Sequence, residues 1–227
     1  MKALYLHGFL GGPKDMSPFF LEGVESHSVD LRTLVLKTKS QKSEELLDSG
    51  PYDFAVGYSF GGRVLAKLLE ENPKFVKKPV FCSARVTPYT REELEKREDF
   101  KKDLLSRLNS SSDKFLNDDF SKYWAGLELF GGHSMNDFRK EFNISHKPWN
   151  IDEIKHYLES HFTYETPKLS GFIQASIYIH GELDSKYKKE SEKLDMKTYE
   201  FEGLGHRFLY EDPKKFKSFL KNKVALN

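Results

Sequence analysis

The chain alternates between short apolar runs that stop at glycine or a small polar residue and longer segments of helical spacing. The runs are Ala3–His7, Phe54–Gly57, Val80–Cys82 and Ile177–His180, with Thr198–Phe201 a more alternating fifth. Continuous rather than alternating apolar character marks strands buried on both faces, as in a parallel sheet. Ser26–Leu36 is a further, weaker strand candidate. Between the runs, Arg63–Glu71 and Pro213–Lys221 have helical spacing, as expected of crossovers that cover a sheet's faces. Thr90–Thr166 departs from this rhythm. It is charged, helically patterned and rich in aromatics, with no convincing buried strand, so residues 90–166 are expected to form a helical cap inserted into a single domain spanning residues 1–227. Ser110-Ser111-Ser112 and Phe130-Gly131-Gly132 are expected turns within that cap.

Composition narrows the picture. A chain of 227 residues with 38% apolar content can bury a full core as one domain without disulfides or metals. Lysine plus arginine (36) nearly cancel aspartate plus glutamate (35), so no field of one sign points to nucleic acid or an anionic membrane. A small-molecule partner is expected instead. Cys82 is the only cysteine, which excludes an internal disulfide and fits a reducing compartment. The apolar start Ala3-Leu4-Tyr5-Leu6 breaks at His7-Gly8, too early for a signal peptide, and no later run could span a bilayer. The expectation is a cytoplasmic protein without membrane attachment. No long heptad or apolar stripe demands an oligomer, so a monomer or weak oligomer is expected.

The chemistry-bearing motif is Gly57-Tyr58-Ser59-Phe60-Gly61, preceded by apolar Phe54-Ala55-Val56 and followed by a helical segment. This is the strand, turn and helix context of a G-x-S-x-G nucleophile elbow, in which a strained turn lifts the serine above the sheet and glycines two residues to either side avoid a clash. It predicts an α/β-hydrolase fold with Ser59 as the reactive residue. In that fold a backbone N–H from the loop after an earlier strand joins the one following the nucleophile in an oxyanion hole, here Phe9 and Phe60. His7 itself is read as a structural hydrogen-bonding residue. The order serine, acid, histidine directs the search for a base to the C-terminal third. There Asp184 follows the strand Ile177–His180, and His206 follows Gly203-Leu204-Gly205; Glu182 is the rival acid. The eight histidines form no metal-binding pattern with one another or with paired cysteines, and no phosphate or dinucleotide loop is present. Neither a metal nor a cofactor is implied.

On these residues the chain resembles the 2-succinyl-6-hydroxy-2,4-cyclohexadiene-1-carboxylate synthases (MenH) of menaquinone biosynthesis. The matching segments are His7-Gly8-Phe9-Leu10-Gly11, Gly57-Tyr58-Ser59-Phe60-Gly61-Gly62-Arg63-Val64, Gly181-Glu182-Leu183-Asp184-Ser185-Lys186-Tyr187 and Gly205-His206. The resemblance implies a cofactor-free lyase that eliminates pyruvate from 2-succinyl-5-enolpyruvyl-6-hydroxy-3-cyclohexene-1-carboxylate, with Ser59 as general base. It implies a substrate rich in carboxylates held by arginines: Arg63 by motif, and Arg97 by ungapped counting from Ser59. Trp124 resembles a cap tryptophan lining the pocket, and Tyr58 a tyrosine whose hydroxyl assists binding. The bland alternatives are a solvated helix position for Arg97, a cap anchor for Trp124 and a surface ion pair for Arg63. Two departures stand against the family pattern. The chain starts at the strand carrying His7, so a mostly parallel, doubly wound sheet of about six strands is expected, lacking the fold's usual first two. The family's D-x-P-G-x-G loop is replaced by Asp30-Leu31-Arg32-Thr33-Leu34.

Two other functions fit the same residues. A serine esterase or thioesterase would use Ser59, His206 and Asp184 through an acyl-enzyme. A non-enzymatic binding module would keep the fold without an assembled triad.

Overall fold

The computed structural model describes residues 1–32, 50–109, 120, 123–124, 126–127, 130, 135–145, 147–160 and 175–225. Among these residues six strands form one sheet: β1 (Lys2–Leu6), β2 (Glu25–Val29), β3 (Tyr52–Tyr58), β4 (Val76–Cys82), β5 (Ile177–Gly181) and β6 (Lys197–Phe201). Their order is β2-β1-β3-β4-β5-β6, and every neighbouring pair is parallel. The helices are α1 (Phe60–Glu71), α2 (Arg91–Asn109), α3 (Met135–Glu141), α4 (Ile151–Ser160), α5 (Ser185–Ser191), α6 (Phe208–Glu211) and α7 (Pro213–Phe219). A 3-10 helix, Pro13–Phe19, follows β1, and π-helical Leu220–Ala225 continues α7.

The continuous apolar runs have the physical basis expected of them, since both faces of the sheet are covered. On one face Leu4, Leu6, Ala55, Phe81 and Tyr178 pack with Leu65 and Leu69 of α1 and with Trp149, Ile154 and Leu158. On the other, Ala3, Tyr5, Phe54, Val56 and Ile179 pack with Met16, Phe19, Phe208 and Phe216. Successive residues of β1 thus feed opposite cores, as the two-residue repeat of a strand requires. Helices α2, α3 and α4 lie between β4 and β5 in the chain, and Leu104, Leu108 and Tyr157 join the first core, so this segment packs into the sheet's own hydrophobic interior.

The boundaries differ from the sequence expectation in one informative place. Ser26–Leu36 was expected as a strand, but β2 ends at Val29. Asp30 accepts from the Arg32 amide and guanidinium, and the Leu31 N–H donates to His7 Nε2 at 3.1 Å. These bonds replace the ladder, and Leu31 and Arg32 turn helical. Residues 33–36 of that expected strand, the turn at Ser110-Ser111-Ser112 and the glycines of Phe130-Gly131-Gly132 lie outside the described residues. Helix α1 begins at Phe60, three residues earlier than the spacing suggested, because the turn at Ser59 feeds it directly.

Candidate active site

The carboxyl ends of β1, β3, β5 and β6 deliver Phe9, Tyr58, Ser59, Phe60, Asp184 and His206, at the edge where ligands bind in open parallel sheets, while Arg63 comes from α1, Arg97 from α2 and Trp124 from the segment between β4 and β5. Ser59 sits between the last residue of β3 and the first of α1, with φ 50° and ψ −110°. A non-glycine residue there stores strain of about 1–3 kcal/mol. The turn is held by the Ser59 N–H, which donates to the Cys82 carbonyl at 2.9 Å. The two expected glycines are sterically compelled. A Cβ on Gly57 would lie 2.6 Å from the Gly62 Cα, and one on Gly61 would collide with the Leu6 carbonyl oxygen of β1.

His206 Nε2 lies 3.4 Å from Ser59 Oγ, and its Nδ1 donates to Asp184 Oδ2 at 2.7 Å. Both the His206 and the Asp184 side chain are about 1% exposed. Burial pulls His206 below its ordinary value, against the raising influence of Asp184. The imidazole is therefore neutral at physiological pH and can accept a proton through Nε2. The rival acid points elsewhere: Glu182 is exposed, and its Oε2 accepts the Gly203 N–H at 2.8 Å. The His206 ring is stacked on Tyr187, with centroids 4.9 Å apart, and contacts Tyr58 at 5.5 Å and Phe130 at 5.6 Å.

The loop after β1 runs His7 to Gly12, with Leu10 at φ 61° and the Gly11 N–H bonded to the Gly8 carbonyl. The N–H groups of Phe9 and Phe60 donate to no acceptor among the described residues. His7 has both ring nitrogens committed to backbone. Nε2 accepts from Leu31, so Nδ1 carries the proton and donates to the Gly8 carbonyl at 2.7 Å. Its complete burial lowers its pKa. This is the structural part read for it from sequence.

Arg63, one helical turn after Ser59, and Arg97 of α2 both face the ring of Tyr89, at 5.9 and 4.7 Å. Arg85 approaches the same ring at 4.8 Å, but its guanidinium is bound to Glu93 at 2.9 and 2.7 Å and to Glu190 at 3.1 Å. Arg97 thus turns inward, unlike Arg91 and Lys96 of the same helix, which form exposed pairs with Glu95 and Glu92. Burial above all, and the Arg63 charge after it, pull the Arg97 pKa down against the opposing influence of Tyr89. Tyr157 of α4 joins the two halves of the site. Its hydroxyl lies within the influence of the Arg63 charge, while its ring stacks on Phe9 at 4.3 Å and meets Phe60 edge-on at 4.7 Å. Trp124 packs edge-on against Phe9 at 5.0 Å and tilted against Phe130 at 5.6 Å, so it faces the loop after β1. Tyr58 is buried across Gly8, and its hydroxyl lies within the influence of the Arg207 charge; the Arg207 guanidinium lies 4.1 Å from the Phe130 ring centroid.

Tyr89, Tyr157 and Arg207 were not singled out from sequence. Tyr157 reads as one of the apolar positions Ile154, Tyr157 and Leu158 of a helix face, and nothing in the sequence separates it from them. Arg207 was the more legible, since it adjoins His206. Among the described residues no helix is long and apolar enough to cross a membrane, and no group of three His, Cys, Asp or Glu side chains comes together to hold a metal ion.

No family model matches the chain, and no curated protein matches its sequence. Solved structures do. MenH from S. aureus aligns over 97% of this chain and 93% of its own, with TM-score 0.71 and 18% identity. BpoC from Mycobacterium tuberculosis H37Rv, described as a candidate non-heme bromoperoxidase, aligns over 99% and 91%, with TM-score 0.66 and 16% identity. A thermophilic esterase from Thermogutta terrifontis aligns over 99% and 89%, with TM-score 0.59 and 13% identity. At these identities the likeness establishes the α/β-hydrolase fold, as the nucleophile elbow led one to expect.

Proposed function

We propose that the protein is a cofactor-free enzyme in which Ser59, His206 and Asp184 act on a carbonyl substrate bearing carboxylates, and that its reaction is the pyruvate elimination of the MenH synthases. The observation that carries this reading is the convergence of Arg63 and Arg97 on Tyr89, joined through Tyr157 to the loops holding Phe9 and Phe60. A pocket for plain acyl chains has no use for two inward guanidinium groups, whereas a planar guanidinium matches a carboxylate bidentately.

In this reading Asp184 holds the His206 tautomer and Nε2 takes the Ser59 hydroxyl proton. Ser59 Oγ then removes the proton next to the substrate carbonyl. The electron pair forms a double bond to the neighbouring ring carbon, the ring's existing double bond shifts along by one position, and the carbon–oxygen bond breaks, so that pyruvate leaves as its enolate, which His206 reprotonates. The Phe9 and Phe60 N–H groups stabilise the charge that develops on the carbonyl oxygen. The substrate needs no acyl bond to serine.

Esterase chemistry is the second reading, supported by the serine–histidine–aspartate relay itself, which acyl transfer uses unchanged. Purified protein supplied with the enolpyruvyl substrate and, separately, with aryl esters and thioesters decides between them. Pyruvate release that disappears in Ser59→Ala is the expected result. Ester turnover without pyruvate would replace the lyase reading, and no Ser59-dependent turnover of either kind would leave a binding module.

A further inference from the structure

The loop after β1 turns on one peptide unit. The Gly8 carbonyl and the Phe9 N–H lie in one plane and point in opposite directions, so whatever fixes the carbonyl aims the N–H. That carbonyl accepts from His7 Nδ1 at 2.7 Å and from the Gly11 N–H at 3.1 Å. The unit adjoins the nucleophile, since a Cβ on Gly8 would lie 3.7 Å from the Ser59 Cβ. The turn that brings Gly11 back to Gly8 is strained at Leu10, whose φ of 61° lies in the left-handed region that leucine disfavours. Such a turn persists only where its surroundings hold it.

Trp149 supplies that hold from the far side of the chain. It is fully buried, its indole N–H donates to the Gly11 carbonyl at 2.8 Å, and its ring meets the Phe9 ring edge-on at 5.2 Å. Trp149 is itself fixed on both sides. Asn150, the next residue, donates its N–H to Glu153 Oε2 and accepts the Glu153 N–H at Oδ1, both at 2.8 Å, a reciprocal cap at the start of α4. Two residues before Trp149, the Lys147 carbonyl accepts from Arg32 at 2.7 Å.

We propose that Trp149 is a positioning residue for the chemistry at Ser59: through the Gly11 carbonyl it keeps the strained turn in the form that aims the Phe9 N–H at the oxygen where charge develops. The proposal rests on the reading of the Phe9 N–H as an oxyanion-hole donor, which the lyase and the esterase chemistry share. It gives the segment between β4 and β5 a part in the rate of reaction as well as in substrate choice. Loss of the indole donor leaves Ser59, His206 and Asp184 in place, so the cost falls on the bond-making step and spares binding. A misaimed donor costs up to about a hundredfold.

The test is inactivation of the whole chain by phenylmethanesulfonyl fluoride, followed by intact mass from about pH 5 to 8. Ser59 Oγ bonds to sulfur, fluoride leaves, His206 takes the hydroxyl proton, and a sulfonyl oxygen occupies the oxyanion position. Wild type is expected to be modified and Ser59→Ala not. Trp149→Phe is expected to lower kinact by about tenfold or more, with KI within about twofold and the midpoint of the pH profile unmoved, because the base is untouched. A second comparison, in a Trp124→Phe background, replaces the remaining tryptophan by 3-benzothienylalanine, which keeps the ring's shape and lacks the N–H. It is expected to show the same fall in kinact, and it decides the matter where Trp149→Phe does not fold. Wild-type kinact in the benzothienyl protein overturns the positioning role and leaves the Ser59 reading standing. A change in KI or in the pH midpoint that accounts for the loss overturns it too, as a general disturbance of the site. No modification of Ser59 in wild type overturns the reactive serine and the proposal together.

Discussion

Ser59 and His206 are 147 positions apart in the chain and meet through a single contact at 3.4 Å, so each depends on a local device that aims it. For Ser59 the device is the strained turn between β3 and α1; for His206 it is Asp184. Sequence left two acids open, and the structure separates them by what else each one bonds. Glu182 is used by the Gly203 amide, and only Asp184 reaches the imidazole. Asp184→Asn therefore should lower kcat/KM by about 10⁴-fold through the wrong histidine tautomer. Glu182→Gln should stay within a few-fold of wild type in the same assay. Comparable losses in both variants would reverse the assignment. Arg97 shows why residue roles are only partly legible. In a run as charged as Arg91–Arg107 the sequence treats every arginine alike, and only the face that α2 turns toward Tyr89 singles one out.

At the scale of elements, the segment between β4 and β5 is fastened to the loop that carries Phe9. Arg139 of α3 donates from two nitrogens to Asp15, at 2.9 and 2.8 Å, and Asp15 also accepts the Gly12 N–H at 2.9 Å. The Trp149 indole N–H donates to the Gly11 carbonyl at 2.8 Å, and Arg32 donates to the Lys147 carbonyl at 2.7 Å. The segment between β4 and β5 and the loop after β1 are therefore one mechanical unit. The Asp15–Arg139 pair is nearly dehydrated, with side chains 1% and 14% exposed. Breaking it from the arginine side strands a buried carboxylate, so Arg139→Met is expected to cost about 3 kcal/mol in urea denaturation. A loss under about 1 kcal/mol would mean that the carboxylate finds water or another donor. The helical character of this segment was readable from its spacing. Its attachment was not, because a carbonyl such as that of Gly11 has no signature in the sequence.

For the whole molecule, pH links the core to the site. His7 and His206 are buried and held neutral below the ordinary histidine value near 6.5. The unfolded chain takes up their protons first, so stability is complete above about pH 6.5 and falls as pH drops toward the folded values, by at most about 1.4 kcal/mol per unit for each histidine. A second loss follows below about pH 4.5. Burial works against ionisation of Glu93, but Arg85 and Thr90 together pull it down to about 2. Thermal melts from pH 8 to 3 should show the first decline near 6.5, and a midpoint flat down to pH 5 would contradict the neutral histidines. The sequence by itself determined the parallel sheet, the elbow at Ser59, and the order of Asp184 and His206. Each rests on local physics: unbroken apolar runs for strands covered on both faces, and glycines where a Cβ would strike the Leu6 carbonyl or Gly62. Tertiary structure alone decided which acid serves His206, which arginine of α2 turns inward, and that Tyr157 stacks on Phe9. Those choices depend on distances between segments far apart in the chain, and helical periodicity says which residues share a face but not what that face meets.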